Sequence, residues 1–277
     1  MKFLLTNDDG VFSPGIHVLA KTLADAGNEV LVVAPDRERS GCGHAMTMDK
    51  PVSLKNVDNL FIKGNYQAKA CDAFPTDCVI LAYDVLNFRP DYLISGINNG
   101  PNVADDFTYS GTVCAAMEGI IIGIPSIAVS LVPGANDDTL HNDAAASITM
   151  VLLEWLTNTA RMPRGVLYNV NIPNLPLCEQ KGFKITRKGI RRYEDKVTVV
   201  KKPYGKKSYW IGGRIEDDRR YGTDVWALSK GYVSITPVHM EMTDFETLNK
   251  CKKDNINNSL NKLIKKHLNA MEYEVSK

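Results

Sequence analysis

The sequence predicts an α/β fold: a doubly wound, mostly parallel sheet carried by the greater part of a 277-residue chain. Short runs that are apolar at nearly every position alternate with amphipathic segments, the pattern of strands buried on both faces and separated by helices. Polar, small residues collect directly after those runs, where open parallel sheets place their ligands. Hydrophobic residues make up 44% and charged residues 23% of the chain, which suits a globular protein with a full core.

In order, KFLLT reads as a buried strand, NDDGVFSPG as a turn, and IHVLAKTLADAG as an amphipathic helix ending at Gly27. EVLVVA is the next strand, followed by the polar loop PDRERSGCGHAMT and a β-rich excursion over roughly residues 51–70. PTDCVILAYDVLN reads as a helix opened by Pro75. The strand DYLISGI, the helix SGTVCAAMEGIII and the strand PSIAVS keep the rhythm, and a helix over roughly 142–157 leads to the strand VLYNVNIP. Residues from about 180 to 235 are charged, rich in Gly and Tyr, and strand-like, as expected of a hairpin-rich lid or oligomer contact. Ile256, Leu260, Leu263, Ile264 and Leu268 then recur at helical spacing among lysines, the pattern of a surface helix docked by its apolar face rather than of a membrane-binding one. We expect residues 1–277 to form a single domain, with an α/β core over roughly 1–177 and a β-hairpin extension with a C-terminal helix arm over roughly 178–277.

A formal net charge of +1 gives no global footprint for nucleic acid or anionic membrane, so neither a stable nucleic-acid partner nor a membrane is expected. No apolar run approaches a membrane span, and the opening segment is too short and too acidic for a signal peptide. The six cysteines show neither a CxxC pair nor zinc-ligand spacing, and several lie inside apolar runs, which points to a reducing, cytoplasmic setting.

At the predicted strand ends stand Asp8 and Asp9, then Ser40 and His44, then Asn98 and Asn102. Adjacent carboxylates repel unless a proton or a cation intervenes. Beyond the strand Gly10 frees the backbone to aim both inward, and Ser40 and Asn98 add oxygen donors suited to Mg²⁺ or Mn²⁺ rather than zinc. An ordinary helix cap accounts for one aspartate but less well for two. In YSGTVCAAMEG, Ser110 is placed to cap a helix whose first amides belong to Gly111, Thr112 and Val113, a natural cradle for phosphate, although such caps also occur without ligands. Arg37 and Arg39 are candidate phosphate contacts, and His44 is a candidate acid, base or substrate contact. The chain lacks a P-loop, a cysteine-phosphatase loop and a GxSxG elbow, which leaves activated water as the expected nucleophile.

The stretches LLTNDDGVFSPGI, VVAPDRERSGCGHAMT, PTDCV, SGINNGPN, YSGTVCAAMEG, IPSIAVS, NVNIP and GYVSITP, in this order and reaching to about residue 237, resemble the survival protein SurE nucleotidases. The resemblance implies a Rossmann-like core and divalent-metal-dependent hydrolysis of nucleoside 5′- and 3′-monophosphates. It further implies a homodimer or homotetramer built partly through an exchanged C-terminal arm. It puts metal ligands on Asp8, Asp9, Ser40 and Asn98, phosphate contacts on Asn102, Ser110, Gly111 and Thr112, and catalysis on Asp8, Asp9 and Asn98. The chain departs from the family's pattern at Ala73 and Phe74, and at Ala104, where a glycine is common. A nucleotide sensor without turnover and a metal-dependent nucleotide-sugar transferase are the rival readings of the same residues.

Overall fold

The structure, a computed structural model, describes residues 1–57, 64–134, 137–158, 162–194, 197–201 and 206–275. These fall into two compact units, Met1–His239 and Met240–Lys277.

The first unit is built on a nine-stranded sheet. Strands β1 (Lys2–Thr6), β2 (Glu29–Pro35), β3 (Leu54–Asn56), β4 (Gln67–Cys71), β5 (Tyr92–Asn99), β6 (Ser126–Val132), β7 (Val166–Pro173), β8 (Phe183–Ile185) and β13 (Val233–His239) lie in the order β3-β4-β2-β1-β5-β6-β7-β13-β8. The run from β4 to β7 is parallel throughout, while β3 and β13 run antiparallel to β4 and β7. The doubly wound expectation therefore holds, and the sheet continues past residue 177 through β8 and β13. Residues 58–63 of the β-rich excursion lie outside the described residues.

Helices cover both faces. On one, α1 (Pro14–Asp25) packs with α4 (Asn142–Asn158) over a core that includes Leu5, Ile16, Leu19, Val32, Ile94 and Leu152. On the other, α2 (Pro75–Ile80) packs with α3 (Gly111–Ile121) over Leu4, Leu31, Val33, Leu93 and Ala115. Consecutive residues such as Leu4 and Leu5 thus serve opposite layers, which is why these strands are apolar without alternation. The helix read from Pro75 to Asn87 is α-helical only to Ile80 and continues as a π-helical turn over Leu81–Val85, ending where Asn87 takes φ 51°.

Strands β9 (Arg191–Glu194), β10 (Val197–Lys201), β11 (Lys207–Ile211) and β12 (Arg214–Asp217) form the expected hairpin-rich region as two antiparallel ribbons, β9 with β12 and β10 with β11. The short helix α5 (Asp224–Ser229) precedes β13. The second unit consists of α6 (Phe245–Lys253) and α7 (Ile256–Val275). The C-terminal helix is therefore present, and Leu260, Leu263, Ile264 and Leu268 along it are each more than half exposed.

The chain moves outward from β1 to β2 and β4, then returns to pair β5 on the other side of β1, so the switch point of the sheet lies between β1 and β5. Ligand crevices form at such points. A register shift between Ser95 and Asn98, opposite β6, re-aims the end of β5 there. Gly96 makes it possible: its φ is +140°, and a Cβ would sit 2.2 Å from the carbonyl oxygen of Val129. We expect Gly96→Ala to lose about 2–4 kcal/mol of stability, from left-handed strain and a backbone clash that cannot relax by a rotamer change. Urea denaturation measures it, and an unchanged midpoint contradicts the packing described.

Candidate functional site

Immediately after β1, Asn7 closes a tight turn. Its Oδ1 accepts the Gly10 amide at 3.1 Å, and its Nδ2 donates to Gly10 O at 3.0 Å and Ser13 Oγ at 2.7 Å. Gly10 takes φ +97°, as the turn requires. Asp8 and Asp9 leave this turn in different directions. Asp8 is only 4% exposed and receives the Thr112 hydroxyl on Oδ1. Asp9 is half-buried and accepts the Asn99 amide on Oδ2 at 2.9 Å.

Burial pushes the Asp8 carboxyl above its usual range, against the hydrogen bond from Thr112 and the backbone amides of Thr112 and Gly111, which favour ionisation. Asp9 is pushed up to about 6, first by burial and then by the neighbouring charge of Asp8. The start of α3 is thus turned toward Asp8. Ser110 Oγ caps it by accepting the Val113 amide at 3.1 Å, as the sequence suggested. Gly111 permits the approach, since a Cβ there would fall 2.8 Å from Asp8 Cβ and 2.6 Å from Cys42 Sγ.

Asp8, Ser40, Asn98, Asn102 and Ser110 line one cleft of about 1030 Å³ at this edge of the sheet. Asn98 Nδ2 donates to Gly100 O at 2.8 Å, and exposed Ser40 donates to Glu38 Oε1 at 2.7 Å. Asn102 is gripped from beneath: its amide donates to Asn171 Oδ1 at 2.9 Å, and its carbonyl accepts Asn169 and Asn171 Nδ2 at 2.7 and 3.1 Å. Its own Nδ2 donates to Ser130 Oγ at 2.8 Å.

The remaining sequence candidates are placed differently. Thr112 is fully buried on Asp8, and the Gly111 amide faces the same carboxylate, so both act on Asp8 directly. His44 is hydrogen-bonded through Nε2 to Glu118 Oε2 at 3.0 Å, which ties its loop to α3. Arg39 donates its backbone amide to Asp8 O at 2.7 Å, while its guanidinium lies 5.5 Å from the Phe74 ring and 3.6 Å from Asp36. Phe74 therefore props the loop that carries Ser40. Arg37 is exposed.

Several contributors have no local signature in the sequence. Asp77 accepts the Thr47 hydroxyl at 2.7 Å and the Phe74 amide at 3.0 Å, anchoring the far end of the Ser40 loop. Buried Asp224 accepts the amides of Ala104 and Gly189, each at 2.8 Å. Ala104 takes φ 50°, the left-handed region in which glycine is free of strain. Tyr109, Arg191, Tyr193, Ile211 and Gly212 complete the outer wall of the cleft. Asn169 and Asn171 did have a signal: two residues apart on a strand, they share a face.

Among the described residues no group of three or more His, Cys, Asp or Glu could hold a metal. The expected ligand set is of another kind, a carboxylate pair completed by hydroxyl and amide oxygens. Its electrostatics give a test. Because the folded pKa of Asp9, about 6, lies above the unfolded value of 3.8, the folded state binds the extra proton between these limits. Stability in a chelator is then full below pH 3.8 and falls as pH rises through 6, by about 1–2 kcal/mol once solvent screening is allowed for. Asp9→Asn is expected to lessen the fall with pH, leaving the part due to Asp8, and to be more stable than wild type at pH 7, which a pH series of thermal melts measures.

A family model described as survival protein SurE matches residues 3–195. The 5′-nucleotidase SurE of Thermosynechococcus vestitus is 47% identical over 250 residues, spanning 88% of this chain and 92% of that protein. The one from Aquifex aeolicus is 43% identical over 257 residues, spanning 90% and 96%. The crystal structure of the SurE protein from Aquifex aeolicus superposes with a TM-score of 0.78 at 40% identity and covers 92% of this chain and 100% of that one. With the switch-point cleft and these matches over most of its length, the chain belongs to the survival protein SurE family.

Proposed function

We propose that this chain is a divalent-metal-dependent phosphomonoesterase that hydrolyses nucleoside 5′-monophosphates, and at the same site 3′-monophosphates, to nucleoside and phosphate. The observation that carries the proposal is the single cleft in which Asp8, Ser40 and Asn98 meet Asn102 and Ser110. Relatives named 5′-nucleotidase, aligned with this chain over 88% and 90% of its length, support the reading.

The donor set fits a hard cation. Both carboxylates are held above their ordinary pKa by burial, and Asp9 also by its neighbour, a cost that a positive charge between them would offset. Asp8, Asp9, Ser40 and Asn98 would hold a divalent ion there, which would supply Lewis acidity and lower the pKa of water at neutral pH. Asp8, fixed by Thr112 and the amides of α3, is the group placed to orient the attacking water and take its proton. Asn102 and Ser110 face the phosphoryl oxygens, with the positive end of the α3 dipole behind Ser110. His44, bound to Glu118, supports the Ser40 loop rather than the leaving group. The six cysteines are free thiols, which suits a reducing compartment, and we place the enzyme in the cytoplasm. No helix among the described residues is long and apolar enough to cross a membrane. The exposed stripe of α7, with Leu260, Leu263, Ile264 and Leu268, supports a homo-oligomer, a dimer or tetramer.

Phosphate release from a panel of nucleoside monophosphates, with Mn²⁺ or Mg²⁺ and with EDTA, tests the proposal. EDTA is expected to abolish turnover, and Asp8→Asn to lower kcat/KM by on the order of a hundredfold or more. Turnover in EDTA, or full activity in Asp8→Asn, overturns the mechanism. Tight nucleotide binding with no turnover in either metal identifies a sensor instead.

A further inference from the structure

The segment from Asn102 to Ser110 runs between cleft-lining residues, and a 3₁₀ helix, Ala104–Tyr109, fills the space between them. Its acidic side chains are taken up by β9, outside the parallel core. Arg191 grips Asp217 with a fork, Nε to Oδ1 at 2.6 Å and Nη2 to Oδ2 at 2.9 Å, and reaches Asp106 Oδ2 with Nη1 at 2.8 Å. The Arg191 amide donates to Asp105 Oδ2 at 2.9 Å, and the Tyr193 hydroxyl donates to Asp106 Oδ2 at 2.5 Å. Lys188 pairs with Asp105. The Arg191 side chain is only 8% exposed, and those of Asp106 and Asp217 are 21% and 13% exposed.

Exposed ion pairs contribute little, but a bidentate guanidinium closed on two carboxylates is held in a fixed geometry. Here that geometry joins two walls of one cleft. Asp105, Asp106, Tyr109 and Ser110 line one side, and Arg191 and Tyr193 the other. Arg191 already engages a carboxylate at Nε, Nη1 and Nη2, so its role is to hold the wall rather than the ligand.

We propose that Arg191 is a positioning residue: by clamping Asp106 to Asp217 it fixes the 3₁₀ segment and thereby the place of Ser110 in the cleft. The inference rests on the phosphomonoesterase reading above. Ser110 meets the phosphate both in the bound substrate and in the transition state, so losing its position removes uniform binding and raises KM more than it lowers kcat.

The test uses the full chain with AMP and Mn²⁺, well below the melting temperature of every variant, together with amide hydrogen exchange over residues 104–110. Arg191→Met is expected to raise KM by about tenfold, with kcat changed less than about threefold. Asp106→Asn and Asp217→Asn shift KM in the same direction, and Arg191→Lys, which keeps the charge but not the fork, falls between wild type and Arg191→Met. Arg191→Met combined with Asp106→Asn raises KM by less than the product of the two single effects, since both remove the Arg191–Asp106 pair. Exchange at 104–110 quickens in each variant. A lowered melting temperature with KM unchanged overturns the proposal in favour of a purely structural role. A raised KM in Arg191→Met that neither aspartate variant shares overturns it in favour of direct substrate contact. If Arg191→Met does not fold, Arg191→Lys and Asp106→Asn decide by the same criteria. If wild type releases no phosphate from any nucleoside monophosphate, the phosphomonoesterase reading fails, and the exchange rates decide whether the clamp orders the segment.

Discussion

The hydrogen bond from the Thr112 hydroxyl to Asp8 Oδ1 joins the end of β1 to the first turn of α3, and the rest of the cleft is arranged around it. A carboxylate buried this deeply is unfavourable as an anion unless donors meet it. The amides of Gly111 and Thr112 and the Thr112 hydroxyl meet it here, while its own backbone carbonyl holds the Arg39 amide. The contacts of this one residue therefore fix a strand end, a helix start and the base of the Ser40 loop. The helix start and the loop each carry another residue of the cleft, Ser110 and Ser40.

The loops that bring the remaining residues are likewise held by hydrogen bonds, most of them made by side chains. The Ser40 loop is tied at Gly43 to Tyr109 O, at His44 to Glu118 and at Thr47 to Asp77. The Asn102 segment is tied by Asn169 and Asn171, by Asp224 at Ala104, and by the β9 cluster at Asp105 and Asp106. A rigid parallel sheet fixes where strands end but not where loops go, and in this molecule that second task falls to buried polar side chains.

The parts legible in the sequence were those with a local or periodic signature. The apolar runs predicted β1, β2, β5, β6 and β7 to within a residue or two, since burial on both faces leaves its mark directly in the composition. Asp8, Ser40, Asn98, Asn102 and Ser110 line one cleft, a juxtaposition the sequence could suggest because strand ends of a parallel sheet share one edge. Gly111 and Thr112 face Asp8, a contact the sequence does not show, because a helix start that meets a carboxylate of the protein and one that meets a ligand anion look the same in one dimension. Arg191, Asp106 and Asp217 could not be read at all. They lie far apart along the chain, and only the antiparallel pairing of β9 with β12 and the packing of the 3₁₀ segment bring them together. The π-helical turn after Ile80 was likewise invisible, because one extra residue per turn leaves the apolar pattern of a short helix almost unchanged.

The amides around the cleft follow from the same electrostatics. Asn7, Asn98 and Asn102, the last held by Asn169 and Asn171, serve a site in which burial first and the neighbouring Asp8 after it push Asp9 up to about 6. Aspartates in their place would deepen the repulsion, and lysines would neutralise the pair and leave a cation nothing to offset. A neutral amide supplies both a donor and an acceptor, so it can orient backbone and side chains without altering the field at the site. The basic groups nearby obey the same constraint: Arg39 is drawn to Asp36 and the Phe74 ring, and Arg191 to Asp106 and Asp217, so each spends its charge outside the carboxylate pair. The negative potential of Asp8 and Asp9 is thereby left for a charged ligand to complete, while the amides around it fix geometry without adding charge.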